Sequence, residues 1–157
     1  IIVCTYMFSI RKNTQYLFFL DIIACVSPIG IFFGRIANFI NGELVGKVTN
    51  VSWGVVFPSI DMSPRHPSQL YEAFLEGIIL FLIMKFAISK KNYRIGTCSY
   101  LFLISYGLLR TISEIFREPD VQIGYLFGLV SVGSLLSIFM IFIGLSMFHF
   151  QRKKYEF

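Results

Sequence analysis

The sequence lacks the residue patterns that define several common protein classes. Its three cysteines, Cys4, Cys25 and Cys98, lie in apolar segments without CxxC or metal-like spacing. We therefore expect small buried side chains rather than metal ligands or disulfides, and no metal or cofactor. There is no low-complexity tract and no convincing internal repeat, so residues 1–157 are expected to form a single domain. No basic region followed by a cleavage site occurs at the start, which argues against a signal peptide.

Apolar residues are abundant instead. Hydrophobic residues make up 55% of the chain, which contains 18 Phe and has a mean hydropathy of +0.70. A soluble domain of this size does not have that composition. Four stretches are long enough to cross a hydrocarbon core of about 30 Å. They predict an all-α, polytopic integral membrane helical bundle with about four full transmembrane helices, at 16–34, 70–88, 96–116 and 125–149.

Residues 1–10 are equally apolar but too short for a crossing. As a helix they would span only about 15 Å, half of what a membrane requires. We therefore expect a partial N-terminal helix here, in a chain that is the C-terminal portion of a longer protein.

Basic residues predict the orientation of the bundle. Short loops rich in Lys and Arg stay in the cytoplasm, and eight basic residues fall on one side of the four helices against four on the other. The eight are Arg11, Lys12, Lys90, Lys91, Arg94, Arg152, Lys153 and Lys154. This distribution predicts a cytoplasmic C-terminus and outer-side segments at 35–69 and 117–124. The net charge of +5 is largely this topological signal, so we expect no nucleic-acid partner.

Two patterns concern packing and local structure. The GxxxG pairs Gly30/Gly34 and Gly124/Gly128 predict close approach of helices in lipid. Residues 47–60 have a strand-like composition, with Trp53 as an interfacial anchor.

Polar residues concentrate in three blocks on the outer side: "GRIANFINGELVG" at 34–46, "RHPSQLYEAFLEG" at 65–77 and "YGLLRTISEIFREPD" at 106–120. In the last block Arg110, Glu114 and Arg117 are spaced i, i+4, i+7, which predicts one shared helix face. A guanidinium inside a span is costly, by about 2.5–3.5 kcal/mol, so Arg110 needs an anion. That anion is either Glu114 or a phospholipid phosphate on which Arg35 also converges.

Two other functions fit parts of this pattern. A transporter or channel subunit could line a pathway with Arg110 and Glu114, although such sites favour the membrane midplane and these polar groups gather toward one leaflet. Asp61, His66 and Ser68 are the residue types of a serine hydrolase, but Ser68 lacks a GxSxG context.

The first block resembles the signature of bacterial prolipoprotein diacylglyceryl transferases, with Arg35, Asn38, Asn41, Glu43 and Gly46 at the family's fixed positions. The other two blocks match the same family in the right order, so the resemblance covers nearly the whole chain. It implies transfer of the diacylglyceryl group of phosphatidylglycerol to the lipobox cysteine thiol of a prolipoprotein. It also implies a multi-pass protein of the bacterial inner membrane with its active site toward the outer leaflet.

The resemblance also suggests roles for individual residues. Arg35 and Arg110 would stabilise the departing phosphate, with Glu114 orienting Arg110. Asn38 and Glu43 would either bind the head group or fix Arg35, and Gly42 and Gly46 would permit a tight loop. The full set of expected substrate-binding residues is Asn38, Asn41, Glu43, Gly46, Tyr106 and Arg117.

One part of the family pattern has no counterpart in the sequence. Members carry a His-Gly-Gly block upstream of the signature, whose His is the usual candidate for activating the thiol. We therefore expect the thiol-activating group in a preceding segment, and no transfer by this chain alone. His66 is expected to hold its loop or cap the next helix with Ser68. Glu72 and Glu76 are expected to be structural groups of the bundle, bonded to Tyr71, Arg65 or backbone.

Overall fold

Helices dominate the computed structural model, which describes residues 2–91, 93–118, 125–126 and 130–155. Four two-residue strands form two antiparallel pairs: β1 (Val55–Val56) with β2 (Pro64–Arg65), and β3 (Tyr125–Leu126) with β4 (Val130–Ser131). The helical elements are α1 (Ile2–Arg11), α2 (Tyr16–Asn41), α3 (Ser68–Glu72), a π-helical segment (Ala73–Ile79), α4 (Leu80–Ile88), α5 (Thr97–Glu114) and α6 (Val132–Tyr155).

The helices agree with an all-α, membrane-type fold, but not with every predicted span. Among the described residues, two helices are long and apolar enough to cross a membrane: Tyr16–Asn41, and Val132–Lys153 within α6. Four full transmembrane helices are therefore not confirmed. The predicted short N-terminal helix is present as α1. Residues 119–124 of the predicted outer segment, and the Gly124/Gly128 pair, lie outside the described residues.

Exposed apolar side chains cover the outward faces of α2 and α6. So large an apolar surface is rare on a protein surrounded by water, but it is the normal surface of a helix surrounded by lipid. Examples with more than half of the side chain exposed are Val26, Phe33, Phe139 and Phe142.

The first span ends later than its apolar pattern suggested. Helix α2 continues to Asn41 and stops at Gly42, which has a left-handed φ of 67°. The amide of Gly42 donates to the carbonyl of Phe39 at 3.2 Å, and the amide of Glu43 donates to that of Asn38 at 2.9 Å. This is the usual glycine-terminated helix end. Arg35 and Asn38 therefore lie on the last turns of a helix rather than in a loop.

Glycines do bring helices together, although not those of the predicted motif. A Cβ atom placed on Gly30 or Gly34 would meet nothing within 4 Å, so the packing role predicted for this pair is wrong within the described chain. A Cβ on Gly77 would lie 2.7 Å from Cβ of Phe32, and one on Gly107 would lie 2.8 Å from the carbonyl oxygen of Ser137. The close contacts thus join the π-helical segment to α2, and α5 to α6.

These contacts predict a difference between two glycine substitutions. Gly77→Ala should lower the free energy of unfolding by about 1–3 kcal/mol, because the new methyl group overlaps the backbone side of Phe32. Gly30→Ala should be neutral or stabilising by less than about 1 kcal/mol, since alanine is the better helix former and has room. Unfolding midpoints in detergent would compare the two. Equal destabilisation would contradict the described packing of α2.

A row of buried side chains runs along α3, the π-helical segment and α4. Its members are spaced by four residues: Ser68, Glu72, Glu76, Leu80 and Met84. In a regular α-helix such a row drifts around the axis by about 40° at each step. The wider turns of the π-helical segment reduce this drift. Along this side of the helix, the first three members of the row are polar and the last two are apolar core residues.

Helix α5 begins on a buried carboxylate that belongs to α2. Asp21 accepts hydrogen bonds from the amides of Gly96 and Ser99 at 2.5 and 2.7 Å, from Oγ of Ser99 at 2.6 Å, and from the hydroxyl of Tyr93. Its exposed fraction is 1%. Asp21 thus satisfies the free amides of the first turn of α5, which no neighbouring side chain caps. Asp21 therefore joins the N-terminal part of α2 to the N-terminal end of α5.

The apolar core lies next to this junction. Its buried members are Ala24, Leu80, Met84, Ala87 and Cys98. All three cysteines are free thiols, but only Cys98 is buried, while Cys25 is half-buried and Cys4 is exposed. The expectation of three buried cysteines is therefore wrong for Cys4.

The predicted strand in 47–60 is present as β1. It pairs with β2, in the register Val55 to Arg65 and Val56 to Pro64. Trp53 is 61% exposed and donates a 2.8 Å hydrogen bond to the hydroxyl of Tyr71. The outer segment therefore folds back onto the start of α3.

Candidate active site

A buried network of charged side chains joins three helices at one end of the bundle. Arg35 comes from α2, Glu72 and Glu76 from α3 and the π-helical segment, and Arg110 and Glu114 from α5. Side-chain exposure is 16% for Arg35, 10% for Arg110, 1% for Glu72 and zero for Glu76. The two arginines predicted to act together therefore do converge, and they meet on two carboxylates.

Glu76 links the two guanidinium groups directly. Its Oε2 accepts a hydrogen bond from Nη2 of Arg35 at 3.1 Å, and its Oε1 accepts one from Nη1 of Arg110 at 3.3 Å. The hydroxyl of Ser113 donates to the same Oε1 at 3.0 Å. Both oxygens of this fully buried carboxylate are therefore hydrogen-bonded, as a buried charge requires.

Glu72 is paired with the same two arginines in a different way. Its Oε2 lies 2.8 Å from Nη1 of Arg35 and 2.9 Å from Nη1 of Arg110. Its Oε1 lies 3.8 Å from Nη1 of Arg117. These contacts lie off the directions of the N–H bonds, so neither oxygen of Glu72 accepts a well-aligned hydrogen bond from the described residues. Glu72 is thus charge-compensated but retains acceptor capacity.

Glu114 holds the other side of Arg110. Its Oε2 lies 2.7 Å from Nη2 of Arg110, one turn back on α5. Ser131 donates to Oε1 of Glu114 at 2.8 Å, and Gly133 leaves room for the carboxylate, since a Cβ there would lie 2.9 Å from both oxygens. This geometry agrees with the expectation that Glu114 orients Arg110.

Arg117 does not share the helix face predicted for it. Helix α5 ends at Glu114, and Arg117 instead forms a β-bridge with Gly46. Its guanidinium still approaches Glu72. Three arginines and three glutamates therefore make up the network, with balanced formal charge. Removal of any one member leaves an opposite charge buried and incompletely paired, which is strongly destabilising.

The loop that follows α2 bonds to two other segments of the chain, one just before α3 and one just after α5. The amide of Gly46 donates to the carbonyl of His66 at 3.1 Å, and the amide of Lys47 donates to that of Phe116 at 2.9 Å. A Cβ on Gly46 would lie 2.8 Å from the carbonyl oxygen of Phe116. Gly46 is therefore required because two chain segments approach its backbone. The tight turn predicted for both glycines is made by Gly42.

Arg65 also bonds to this loop. It donates to the carbonyl of Gly46 at 3.1 Å and to Oδ2 of Asp61 at 2.6 Å. The hydrogen bond from Arg65 lowers the pKa of Asp61 below its ordinary value. A carboxylate with a lowered pKa contributes stability above its unfolded-state pKa and loses it as the pH falls through the folded-state value. This contact is therefore intact at neutral pH.

Four of the predicted substrate-binding residues are not members of the charged network. Asn41 and Glu43 are exposed, and in the described chain neither side chain bonds to Arg35. Asn38 is half-buried and contributes its backbone carbonyl to the end of α2. Tyr106 lies one turn before Arg110 on α5 and stacks on Phe102 with ring centroids 5.6 Å apart.

His66 holds its loop but does not cap the next helix. Its backbone bonds to Gly46, Lys47 and Ser68, and its Nδ1 lies 3.3 Å from the hydroxyl of Tyr71. Helix α3 has no side-chain cap, and Oγ of Ser68 donates instead to the carbonyl of Leu44. Asp61 is engaged by Arg65. No described contact therefore assembles Asp61, His66 and Ser68 into a triad.

Glu72 and Glu76 belong to the site, although the sequence did not predict this. They were expected to bond to Tyr71, Arg65 or backbone, but they are the shared partners of Arg35 and Arg110. The sequence did contain a signal for this role: two carboxylates four residues apart, together with two arginines in another polar block. Each guanidinium within the membrane needs an anion, and these carboxylates could supply it.

The fold and site together define a helical protein of the membrane type, in which a buried arginine–glutamate network joins three helices. Residues 1–150 match the family model described as prolipoprotein diacylglyceryl transferase. The chain belongs to this family.

Relatives named phosphatidylglycerol–prolipoprotein diacylglyceryl transferase agree with this assignment. The one from Rickettsia bellii (strain OSU 85-389) is 54% identical over 147 residues, which cover 92% of this chain and 56% of the relative. The one from Rickettsia canadensis (strain McKiel) is 49% identical over 153 residues, covering 94% and 58% respectively. The chain thus spans little more than half the length of these relatives. The match does not favour a transporter or channel.

Proposed function

We propose that the chain forms part of an enzyme that transfers the diacylglyceryl group of phosphatidylglycerol to the lipobox cysteine thiol of a prolipoprotein. The observation that carries the proposal is the convergence of Arg35 and Arg110, from two different helices, on one buried pair of carboxylates. The names of the relatives state the same donor lipid and acceptor protein.

The chemistry uses the two arginines on the leaving group. The cysteine thiolate attacks the glyceryl carbon that bears the phosphate ester, so a C–S bond forms as the C–O bond breaks. The electron pair leaves with the phosphate oxygen, and glycerol phosphate is released. Guanidinium groups already in position stabilise this developing charge without reorganisation. Arg35 and Arg110 supply that stabilisation, and Glu72, Glu76 and Glu114 fix their directions.

The remaining proposed roles belong to substrate binding. Tyr106 lies next to Arg110 on α5, and Arg117 and Gly46 connect the network to the loop above it. Asn38 is near Arg35 on the last turns of α2, and Asn41 and Glu43 stand at the exposed edge where a head group or peptide would enter. We assign these residues to binding phosphatidylglycerol and the lipobox segment.

A transfer assay tests the proposal. This chain would replace the matching part of the Rickettsia bellii relative, and the chimera would be given radiolabelled phosphatidylglycerol and a lipobox peptide. We expect label on the peptide cysteine, and none when that cysteine is replaced by serine. Transport of a solute without any transfer would overturn the proposal.

The proposed location is the bacterial inner membrane, with the network toward the outer leaflet and the C-terminus in the cytoplasm. The distribution of basic residues supports this orientation. The loop between α2 and α3 is then outside, and the loop between α4 and α5 is inside.

Cysteine labelling gives a prediction for this orientation. With Cys4, Cys25 and Cys98 replaced by serine, Ser59→Cys should react with a membrane-impermeant thiol reagent in intact cells. Ser89→Cys should react only after the cells are permeabilised. Both positions are exposed, so burial does not account for a difference. The opposite labelling pattern would refute the orientation.

A further inference from the structure

Gln69 has a buried side chain, and only the nitrogen of its amide forms a hydrogen bond with the described residues. It is 1% exposed, and its Nε2 donates a 2.7 Å hydrogen bond to the backbone carbonyl of Glu43. This bond identifies the two ends of the amide, since rotation by half a turn would place two carbonyl oxygens in contact. The Oε1 atom is therefore a true acceptor. It receives no hydrogen bond from any residue that the structure describes.

The free acceptor lies on the helix side that carries the charged network. Gln69, Glu72 and Glu76 are spaced i, i+3, i+7 along α3 and the π-helical segment, and all three are at least 99% buried. Both oxygens of Glu72 also accept no aligned hydrogen bond. Buried acceptors without donors are rare in folded proteins because each costs free energy. This side of the helix therefore carries three acceptor atoms without an aligned hydrogen bond, two of them on the Glu72 carboxylate that pairs with Arg35 and Arg110.

The surplus indicates what kind of ligand fits. The guanidinium groups suit a phosphate, but a phosphate diester has no hydrogen to donate to the free acceptors. A polyol esterified to that phosphate does, because each hydroxyl carries one donor proton. Resting on the proposed function, we infer that Gln69 Oε1 accepts a hydrogen bond from a hydroxyl of the terminal glycerol of the lipid. Gln69 is thus a specificity-determining residue for polyol head groups.

Two lipids with the same acyl chains separate this role from a structural one. Phosphatidylglycerol carries two head-group hydroxyls, whereas phosphatidylpropanol keeps the phosphate and three carbons but has none. Binding of each to this chain, as part of the chimera described above, would be measured in detergent by native mass spectrometry. The unmodified chain should bind phosphatidylglycerol about tenfold more tightly, the order of magnitude of one well-made hydrogen bond.

Variants then locate the preference. Gln69→Leu should reduce the ratio of affinities to about one, because it should weaken phosphatidylglycerol binding more than phosphatidylpropanol binding. Ser68→Ala is the matched control, because it removes a hydrogen bond from the adjacent buried residue to the same loop, at Leu44. It should leave the ratio as in the unmodified chain.

The outcomes are distinct. Equal binding of the two lipids by the unmodified chain would overturn the role of Gln69 while leaving the phosphate site intact, and this arm needs no variant to fold. An equal loss for both lipids in Gln69→Leu would show that the residue only tethers the loop. If neither lipid bound, or if Arg110→Ala left the binding of both unchanged, the proposed function itself would fail.

Discussion

Replacing Arg110 by lysine should lower the rate of diacylglyceryl transfer about 10²–10³-fold, nearly as much as replacing it by alanine. Arg110 reaches Glu72 and Glu76 through Nη1 and Glu114 through Nη2. A lysine keeps the positive charge but has one nitrogen, so it cannot hold this arrangement and also grip two phosphate oxygens. Transfer of radiolabelled lipid to a lipobox peptide by the chimera gives the measurement.

His66→Ala is the comparison for this experiment, because His66 binds the outer loop through its backbone, which the substitution keeps. Its effect on the rate should be much milder. Unfolding midpoints of both variants would separate lost chemistry from lost folding. A fully active Arg110→Lys variant together with an inactive His66→Ala variant would mean that the reaction takes place elsewhere in the molecule.

The second large effect is expected at the opposite end of the bundle. Asp21→Ala should lower the free energy of unfolding by about 3–5 kcal/mol, because the buried donors of Gly96 and Ser99 and the hydroxyl of Tyr93 lose their acceptor. Asp21→Asn keeps the shape but replaces one acceptor oxygen by a donor. We expect it to lose roughly half as much. Unfolding by a denaturing detergent would measure both.

Asp61→Ala provides the control for Asp21. Asp61 also accepts hydrogen bonds from a partner side chain, but it is partly exposed and its ion pair with Arg65 is screened by water. Its loss should therefore destabilise the protein far less than the loss of Asp21. Similar costs for the two aspartates would show that the junction between α2 and α5 does not depend on Asp21.

The helices and the polar blocks were predictable from local sequence. Apolar runs of sufficient length predict helices whatever their neighbours, and Arg110 inside such a run predicts an anionic partner. The contact of Arg110 with Glu114, one of the two anions weighed for it, could be foreseen because it is local, one turn along a single helix. The late end of α2 was missed because the apolar pattern stops before the backbone does, and only the left-handed Gly42 ends the helix.

The partners of the arginines could not be assigned from the sequence. Glu76 stands 41 positions from Arg35 and 34 from Arg110, so their contacts depend on how three helices pack. The same holds for the glycines: Gly30 and Gly34 carry the motif, but Gly77 and Gly107 make the contacts. Asp21 could have been noticed, because a lone carboxylate in an apolar run requires donors from somewhere. Which donors they are follows only from the fold.

The π-helical segment makes chain length at 73–79 as important as residue type. Removing one residue there would restore regular α-helical turns and rotate everything beyond it by about 100° relative to the part before it. If Glu72 and Glu76 kept their contacts with the arginines, Leu80 and Met84 would then turn away from the core. If Leu80 and Met84 stayed in the core, the two glutamates would lose those contacts. Family members should therefore tolerate neither insertion nor deletion along this stretch, whereas the loop between β1 and β2 is free to change in length.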